Sequence, residues 1–180
     1  KSDNEPAIIA LKQGVKEMTS EMEIIFEESP VGESSSNGEI EAVTKSIQGM
    51  VRTLRSAIET RTNQRLMRDS VLIPWLVRHA ASVMSKYIIG SDGMTAYRRL
   101  KGKEFKLSIA EFGECVWYLK AKSAGINKFD SRWDTGVWLG IRDESGEAVI
   151  GTKAGAIKTR SFRRKAIMND RWDKEVIMNV

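Results

Sequence analysis

Cysteine and histidine are almost absent from the chain. Its 180 residues include one of each, which excludes an intrachain disulfide and a zinc site built from several thiolates or imidazoles. Long apolar runs are also lacking. The longest, at positions 71–77, contains Pro74 and stops at Arg78, whereas a membrane span needs about 20 apolar residues. We therefore expect no membrane partner.

The composition is otherwise that of a folded protein. Hydrophobic residues make up 41% and charged residues 29% of the chain, which excludes collagen-like and wholly disordered classes. A length of 180 residues fits one domain or two small ones. The first residue is Lys1 rather than Met, so we expect a piece of a longer chain.

Charge is distributed unevenly along the sequence. Residues 1–50 contain four basic and ten acidic side chains, whereas residues 51–180 contain 25 basic and 14 acidic ones. The second segment therefore carries a net charge of +11, which favours a polyanionic partner. The alternative is an ordinary solvated surface, because charge asymmetry alone does not specify a partner.

Hydrophobic periodicity predicts helices in the first half and strands in the second. Apolar residues recur every three or four positions from Ile8 to Met18 and from Ile40 to Ile58, as on one face of a helix. We also expect helices over 71–88 and 95–101, a strand over 22–26, and a short helix or extension over 168–180. Strand patterns at 115–119, 135–141, 148–152 and 156–162 predict a small barrel or sandwich.

Two carboxylates stand where they could share a metal ion. Asp3 precedes the first predicted helix, and Glu41 lies in the first turn of the long helix after a polar loop. Brought together, such side chains bind Mg²⁺ through oxygen, and two ions can hold the attacking and leaving oxygens of a phosphodiester. Each position also has a simpler explanation, since Asp caps helices and Glu complements the helix dipole.

The order of short motifs resembles that of copia-type retrotransposon integrases. Ser2-Asp3-Asn4 is similar to the motif that holds the second acid of the family's catalytic triad. Asn37-Gly38-Glu39-Ile40-Glu41 is similar to the motif of the third acid, and Glu41 is the matching residue. Downstream, Thr95-Ala96-Tyr97, Phe112-Gly113-Glu114 and Gly136-Val137-Trp138 resemble the region that follows the catalytic core in these polyproteins.

The resemblance implies an α+β fold with a defined order of parts. These are the C-terminal half of an RNase H-like integrase core over 1–65, a helical linker over 66–108, a small Src-homology-three-like β-barrel over 109–168 and a tail over 169–180. The chain would then be a fragment of an integrase that binds DNA and, when complete, performs 3′-end processing and strand transfer.

The same resemblance implies a cofactor and partners. In the intact enzyme Asp3 and Glu41 would be the catalytic residues and the ligands of Mg²⁺ or Mn²⁺. The partner would be double-stranded DNA, both the element ends and the target, and the intact integrase would be a homo-oligomer. Made in the cytoplasm, it would act in the nucleus.

Departures from the family pattern leave other functions open. The strand with the triad's first Asp and the family's zinc module are absent, Glu5-Pro6 replaces the usual glycine, and 37 residues separate Asp3 from Glu41. We therefore expect no DNA joining by this chain alone. One alternative is a non-catalytic basic DNA-binding module from a decayed or domesticated transposon. Another is an RNase H-like nuclease without strand transfer.

Two sets of residues are candidate DNA contacts. The first is Lys45, Gln48 and Arg52, which follow Glu41 on one helix face. The resemblance assigns this face to DNA, and the alternative is a solvated face with a Glu41–Lys45 pair. The second set comes from residues 153–165, which contain six basic and no acidic residues. On a barrel it would form a stripe that contacts phosphate groups, and the alternative is a solvated edge strand that its charges protect from pairing. Its main members are Lys158, Arg160, Arg163 and Arg164.

The remaining distinctive side chains are expected to be structural. His79 and Cys115 lie within apolar patterns, and we expect both to be packed inside the fold. The five tryptophans are expected to belong to the core rather than to a base-stacking surface.

Overall fold

Helices precede strands along the chain, and a computed structural model describes residues 5–19, 24–26, 38–121 and 129–180. The predicted α+β class is confirmed at the level of helices combined with one antiparallel sheet. The helices are α1 (Pro6–Met18), α2 (Gly38–Thr62), α3 (Leu72–Tyr87), α4 (Ala96–Lys101) and α5 (Lys174–Met178). The strands are β1 (Cys115–Leu119), β2 (Trp133–Ile141), β3 (Ala148–Thr152), β4 (Gly155–Thr159) and β5 (Phe162–Arg164).

The chain forms two compact units, residues 1–46 and residues 47–180. In the first unit, α1 begins at Pro6, where the missing N–H of proline costs no helical hydrogen bond. The predicted strand over 22–26 is wrong for residues 24–26, which have no strand pairing, while residues 22 and 23 lie outside the described ranges. An apolar run forms a strand only where a neighbouring strand accepts and donates its hydrogen bonds.

The apolar stripe of α2 is buried only toward its C-terminal end. Ile40 and Val43 are exposed, whereas Ile58 is fully buried and Val51 and Leu54 pack against the core of the second unit. A regular apolar stripe therefore predicts the helix correctly, but it does not predict which turns of the helix are buried against the core. Burial of a residue such as Ile58 contributes about 2 kcal/mol relative to leaving it exposed.

The sheet has the strand order β4-β3-β2-β1-β5, and every neighbouring pair is antiparallel. Side chains alternate between the two faces along each strand, and each face contains an apolar cluster. One face packs against the helices; its cluster includes Cys115, Val137, Leu139 and Val149 with Leu72, Leu76 and Ile177. The other face contains Val116, Tyr118, Trp138 and Ile150, with Ile157 and Phe162 at its margin.

The predicted single strand over 156–162 is wrong, because a corner divides it into β4 and β5. These two strands lie at opposite edges of the sheet, yet only two residues join them. At the corner, the Thr159 hydroxyl donates to the Leu119 carbonyl at 3.1 Å, and the Leu119 N–H donates to the Ser161 carbonyl at 3.0 Å. The sheet therefore curves until its two edges approach each other here.

The C-terminal segment is part of the core. A 3-10 turn (Asn169–Trp172) leads into α5, whose first turn is capped by the Asp173 carboxylate. Ile177 is fully buried, and Trp172, Val176 and Val180 pack against the same cluster. The predicted short helix is confirmed, and its packing closes one face of the sheet.

The entry to the sheet depends on Gly113. Its φ of +85° is a conformation that only glycine adopts without strain. A side chain there would also meet Ile58 of α2, since a Cβ would lie 3.1 Å from the Ile58 Cδ1. The glycine of the Phe112-Gly113 motif thus allows close contact between α2 and the chain that enters β1.

The next residue, Glu114, carries a fully buried carboxylate. Its two oxygens share the single Nε–H of Arg164, at 2.8 and 3.0 Å, and one of them also accepts from the Glu111 N–H at 3.1 Å. The Arg171 Nε lies 3.6 Å away. One buried carboxylate therefore ties the start of β1 to β5 and to the 3-10 turn that precedes α5.

We predict that Glu114→Gln destabilises the second unit strongly. The substitution keeps the shape but removes the charge that two arginines surround, and losing one partner of a buried pair typically costs about 3 kcal/mol or more. Urea unfolding followed by tryptophan fluorescence measures the loss. Glu144→Gln is the matched control, because Glu144 pairs with Arg142 at the surface and should leave the midpoint nearly unchanged. Equal midpoints for the two variants would contradict the structural role of Glu114.

His79 is packed inside the second unit, as predicted. Its ring lies 5.3 Å from the rings of both Phe112 and Trp138. Burial, and then the positive charge of the nearby Lys86, lowers the pKa of His79 from 6.5 to about 4. The folded state therefore holds this imidazole neutral at pH values where the unfolded chain protonates it.

We predict an acid-sensitive stability that depends on His79. Because its folded pKa is lowered, stability is complete above pH 6.5 and falls as the pH approaches 4. Between pH 7 and pH 5 the free energy of unfolding should fall by about 2 kcal/mol. In His79→Gln this dependence should be largely absent, whatever the absolute stability of the variant. An unchanged pH dependence in the variant would show that another group is responsible.

Candidate nucleic-acid interface

The first predicted set of DNA contacts lies on the surface of α2. Glu41 and Lys45 are exposed, and the Lys45 Nζ lies 3.9 Å from a Glu41 carboxylate oxygen. Gln48 and Arg52 are also exposed. The structure therefore leaves these side chains accessible, while the weak Glu41–Lys45 pair also fits the simpler explanation of a solvated helix face.

Arg55, one turn beyond Arg52, has a structural role instead. Its guanidinium donates to Glu59 at 2.9 Å and to the Leu66 carbonyl at 2.6 Å. Glu59 in turn accepts from the Leu66 N–H at 2.9 Å, and this hydrogen bond is the main cause of a lowered pKa for the Glu59 carboxyl. These bonds fix the turn that follows α2.

The predicted metal pair stays a prediction. Asp3 lies outside the described residues, so the described ranges contain only Glu41 of the two proposed ligands. Among the residues that the structure describes, no group of three or more histidine, cysteine, aspartate or glutamate side chains could hold a metal ion. Glu41 by itself supplies one ligand, next to the positive charge of Lys45.

Strand alternation divides the second predicted set between the two sides of β5. We call the face of the sheet that contains Trp138 and Ile150 the inner side and the face that packs against the helices the outer side. Phe162 packs on the inner side, so the neighbouring Arg163 points to the outer side. Arg163 pairs with Trp117 across the ladder. Arg164 pairs with the buried Val116 and returns to the inner side.

Arg164 meets acidic partners that the local sequence does not contain. It binds the buried Glu114, and its Nη2 lies 3.5 Å from the Glu111 carboxylate. The hydrogen bond to Glu114 raises the pKa of Arg164 further. The stretch from 153 to 165 lacks acids, but the fold supplies them from about 50 positions earlier. Arg164 therefore has a structural role, while its side chain stays 40% exposed and its predicted contact with DNA stays a prediction.

Lys158 and Arg160 remain exposed near the corner of the sheet. Lys158 is paired with Val149, whose side chain packs against the helices, so Lys158 also lies on the outer side. The Arg160 side chain is 90% exposed, and its only ion pair among the described residues is with Glu147 at 3.6 Å. An exposed pair of this length contributes little energy and can exchange for a phosphate.

Two tryptophans that were expected in the core lie on this outer side. Trp117 is 43% exposed, and the Lys165 Nζ lies 5.0 Å from the centre of one of its rings. Trp133 is half-buried, with the Arg163 guanidinium 5.2 Å from its ring. We call Trp117, Trp133, Arg163 and Lys165 the cation–aromatic face. The period-two pattern of β1 already separated Trp117 from Val116 and Tyr118, and this signal could have revealed the face.

The cation–aromatic face is suited to a nucleic acid, which carries phosphate groups next to sugars and bases. Guanidinium and ammonium groups donate to phosphate oxygens, and indole rings pack against sugars or unpaired bases. The rings also hold the two cations in place, so less side-chain entropy is lost when an anion binds.

Comparison with known proteins adds no family assignment. No protein-family model matches the sequence, and no curated protein matches it. Among the described residues, no helix is long and apolar enough to cross a membrane.

We predict opposite effects for two adjacent arginines. Arg163→Gln should weaken binding to duplex DNA several-fold and reduce the slope of log affinity against log salt by about 0.9, because one phosphate contact is lost. Its urea midpoint should not change. Arg164→Gln should instead lower the midpoint, because the buried Glu114 loses its main partner. Fluorescence anisotropy and urea unfolding measure both quantities. The reverse pattern would contradict the division of β5 into an outer and an inner side.

Proposed function

We propose that the chain is the DNA-binding part of a copia-type retrotransposon integrase. Its second unit would contain a small Src-homology-three-like barrel, and the part of its outer side that the helices leave exposed would contact the phosphate backbone of duplex DNA. The observation that carries this proposal is the outward placement of Arg163 and Lys158 on a curved five-stranded sheet, with the exposed Arg160 at its corner. Among the described residues, the only acidic partner of these three side chains is Glu147, which lies 3.6 Å from Arg160.

The curvature of the sheet supports the barrel part of the proposal. A two-residue connection between the edge strands β4 and β5 brings the edges together near Leu119. Closing or nearly closing a small sheet in this way is the device by which barrels remove exposed edges. Phe112 and Gly113, which form the F-G motif, lie just before β1 and thereby support the proposal.

Charge supports the DNA part. Residues 51–180 carry a net charge of +11, and the basic side chains of the outer sheet can form sequence-independent phosphate contacts. A non-catalytic DNA-binding module from a decayed or domesticated element would use the same surface. The two proposals therefore agree on what the second unit binds and differ in the role of the first.

In the intact integrase we propose Asp3 and Glu41 as ligands of Mg²⁺ or Mn²⁺, which would activate the attacking oxygen and stabilise the leaving one. Lys45, Gln48 and Arg52 would position DNA along α2. Assembly as a homo-oligomer and action in the nucleus belong to the same proposal. The support for all of these is the motif order of the sequence together with the exposure of the α2 residues.

The experiment is a salt titration of duplex binding by the whole chain. Replacing Lys158, Arg160 and Arg163 together with glutamine should lower the slope of log affinity against log salt by about 2.7, since each lost phosphate contact contributes about 0.9. A control triple substitution of Lys16, Arg68 and Lys174, which are exposed and lie outside the sheet, removes the same charge.

The control separates a specific contact surface from a general charge effect. The proposal predicts that the control triple variant keeps nearly the full salt slope of the unmodified chain. Equal slopes for the two triple variants would mean that binding follows net charge alone, and no binding at low salt would remove the proposed DNA function.

A further inference from the structure

A second basic surface lies on the segment from 96 to 107, away from the strands. This segment contains five lysines and arginines and one acid. A groove of about 560 Å³ opens here, and its lining includes Tyr97, Arg98, Lys103, Glu104 and Lys106. We call it the α4 groove.

The cations of the α4 groove are largely free to bind. Within the described ranges Glu104 pairs with Arg98 alone, at 3.5 Å, and both side chains are about half exposed or more. Among the described residues, Lys103 and Lys106 take part in no ion pair. No acid in the described part of the chain therefore neutralises the charges of these two lysines.

The backbone beneath the groove is well defined. The Thr95 hydroxyl caps α4 by accepting from the Arg98 N–H at 3.1 Å. The helix ends at Gly102, whose φ of +68° is the left-handed conformation that glycine favours and whose N–H donates to the Arg98 carbonyl at 2.8 Å. This turn sends the chain back, so that Lys103 and Lys106 line the same groove as Arg98.

Aromatic contacts hold the Tyr97 wall of the groove. The Tyr97 ring meets Phe105 edge-on at 5.4 Å, and Phe105 in turn meets Tyr87 of α3 at 6.0 Å. The Lys86 Nζ lies 4.6 Å from the Phe105 ring. A tyrosine fixed in this way presents its hydroxyl at little entropic cost, and tyrosine hydroxyls are common donors to phosphate.

We infer that the α4 groove is a second nucleic-acid contact, which takes the phosphodiester backbone of duplex DNA. The inference rests on the proposed DNA-binding function but uses a surface separate from the cation–aromatic face. Arg98, Lys103 and Lys106 would contact successive phosphates, and binding would not depend on base sequence. A single inorganic phosphate offers one anionic group, whereas the duplex backbone offers one for each of the three cations.

The first test is lysine acetylation of the whole chain, mapped by mass spectrometry. Saturating duplex DNA should protect Lys103 and Lys106, while inorganic phosphate at the same ionic strength should not. Protection by inorganic phosphate alone would overturn the inference in favour of a free-phosphate site. Equal protection by polyglutamate would overturn it in favour of an acidic polypeptide.

The second test uses Lys103→Gln with Lys106→Gln, compared with a charge-matched Arg68→Gln and Lys174→Gln variant. The groove variant should bind duplex DNA roughly tenfold more weakly and lose about 1.8 from its salt slope. The control should stay near the unmodified chain. Identical behaviour of the two variants would overturn the inference.

The two surfaces can fail separately. Protection of Lys165 without protection of Lys103 and Lys106 would overturn the groove and leave the proposed function standing. Protection of Lys103 and Lys106 without Lys165 would support the groove and contradict the assignment of DNA binding to the sheet.

Discussion

The buried carboxylate of Glu114 is the constraint on which the second unit depends. It carries a charge at a fully buried position, so the fold must supply cations and N–H donors around it. Arg164 comes from the last strand, Arg171 from the 3-10 turn, and the Glu111 N–H from the chain before β1. Satisfying one group thus joins the start of β1 to β5 and to the 3-10 turn, which come about 50 positions later, and fixes where β5 lies against β1.

This constraint also determines which basic residues are available to a partner. Once Arg164 is held on the inner side, alternation turns Arg163 and Lys165 outward, beside the half-buried indole of Trp133 and the exposed indole of Trp117. The same β5 segment thus combines an internal ion pair with an external basic surface. Lys86 of α3 is another basic residue that an internal ion pair occupies, because its buried Nζ lies 2.7 Å from the Asp143 carboxylate.

Local patterns predict the elements well where their cause is local. Apolar runs bounded by turns predict the strands over 115–119 and 148–152. The cap of Thr95 predicts the start of α4 one residue later. The division of 156–162 was missed because the corner depends on a bond between Thr159 and Leu119, 40 positions apart. The contact of Arg164 with Glu114, 50 positions earlier, has the same kind of cause, and the predicted role of Arg164 in DNA binding stays a prediction. Trp117 is different, since alternation in its own strand indicated the outer side, whereas the size of the side chain suggested the core.

The most direct test of the central claim uses the indole N–H signals of the five tryptophans. In a titration of the ¹⁵N-labelled chain with duplex DNA, the signals of Trp117 and Trp133 should shift, because each ring lies against a cation on the outer side: Lys165 for Trp117 and Arg163 for Trp133. The Trp138 signal should stay unchanged, because this side chain is buried in the inner cluster. Shifts confined to the other tryptophans, or no shift at saturating DNA, would contradict the claim that the outer side of the sheet binds the phosphate backbone.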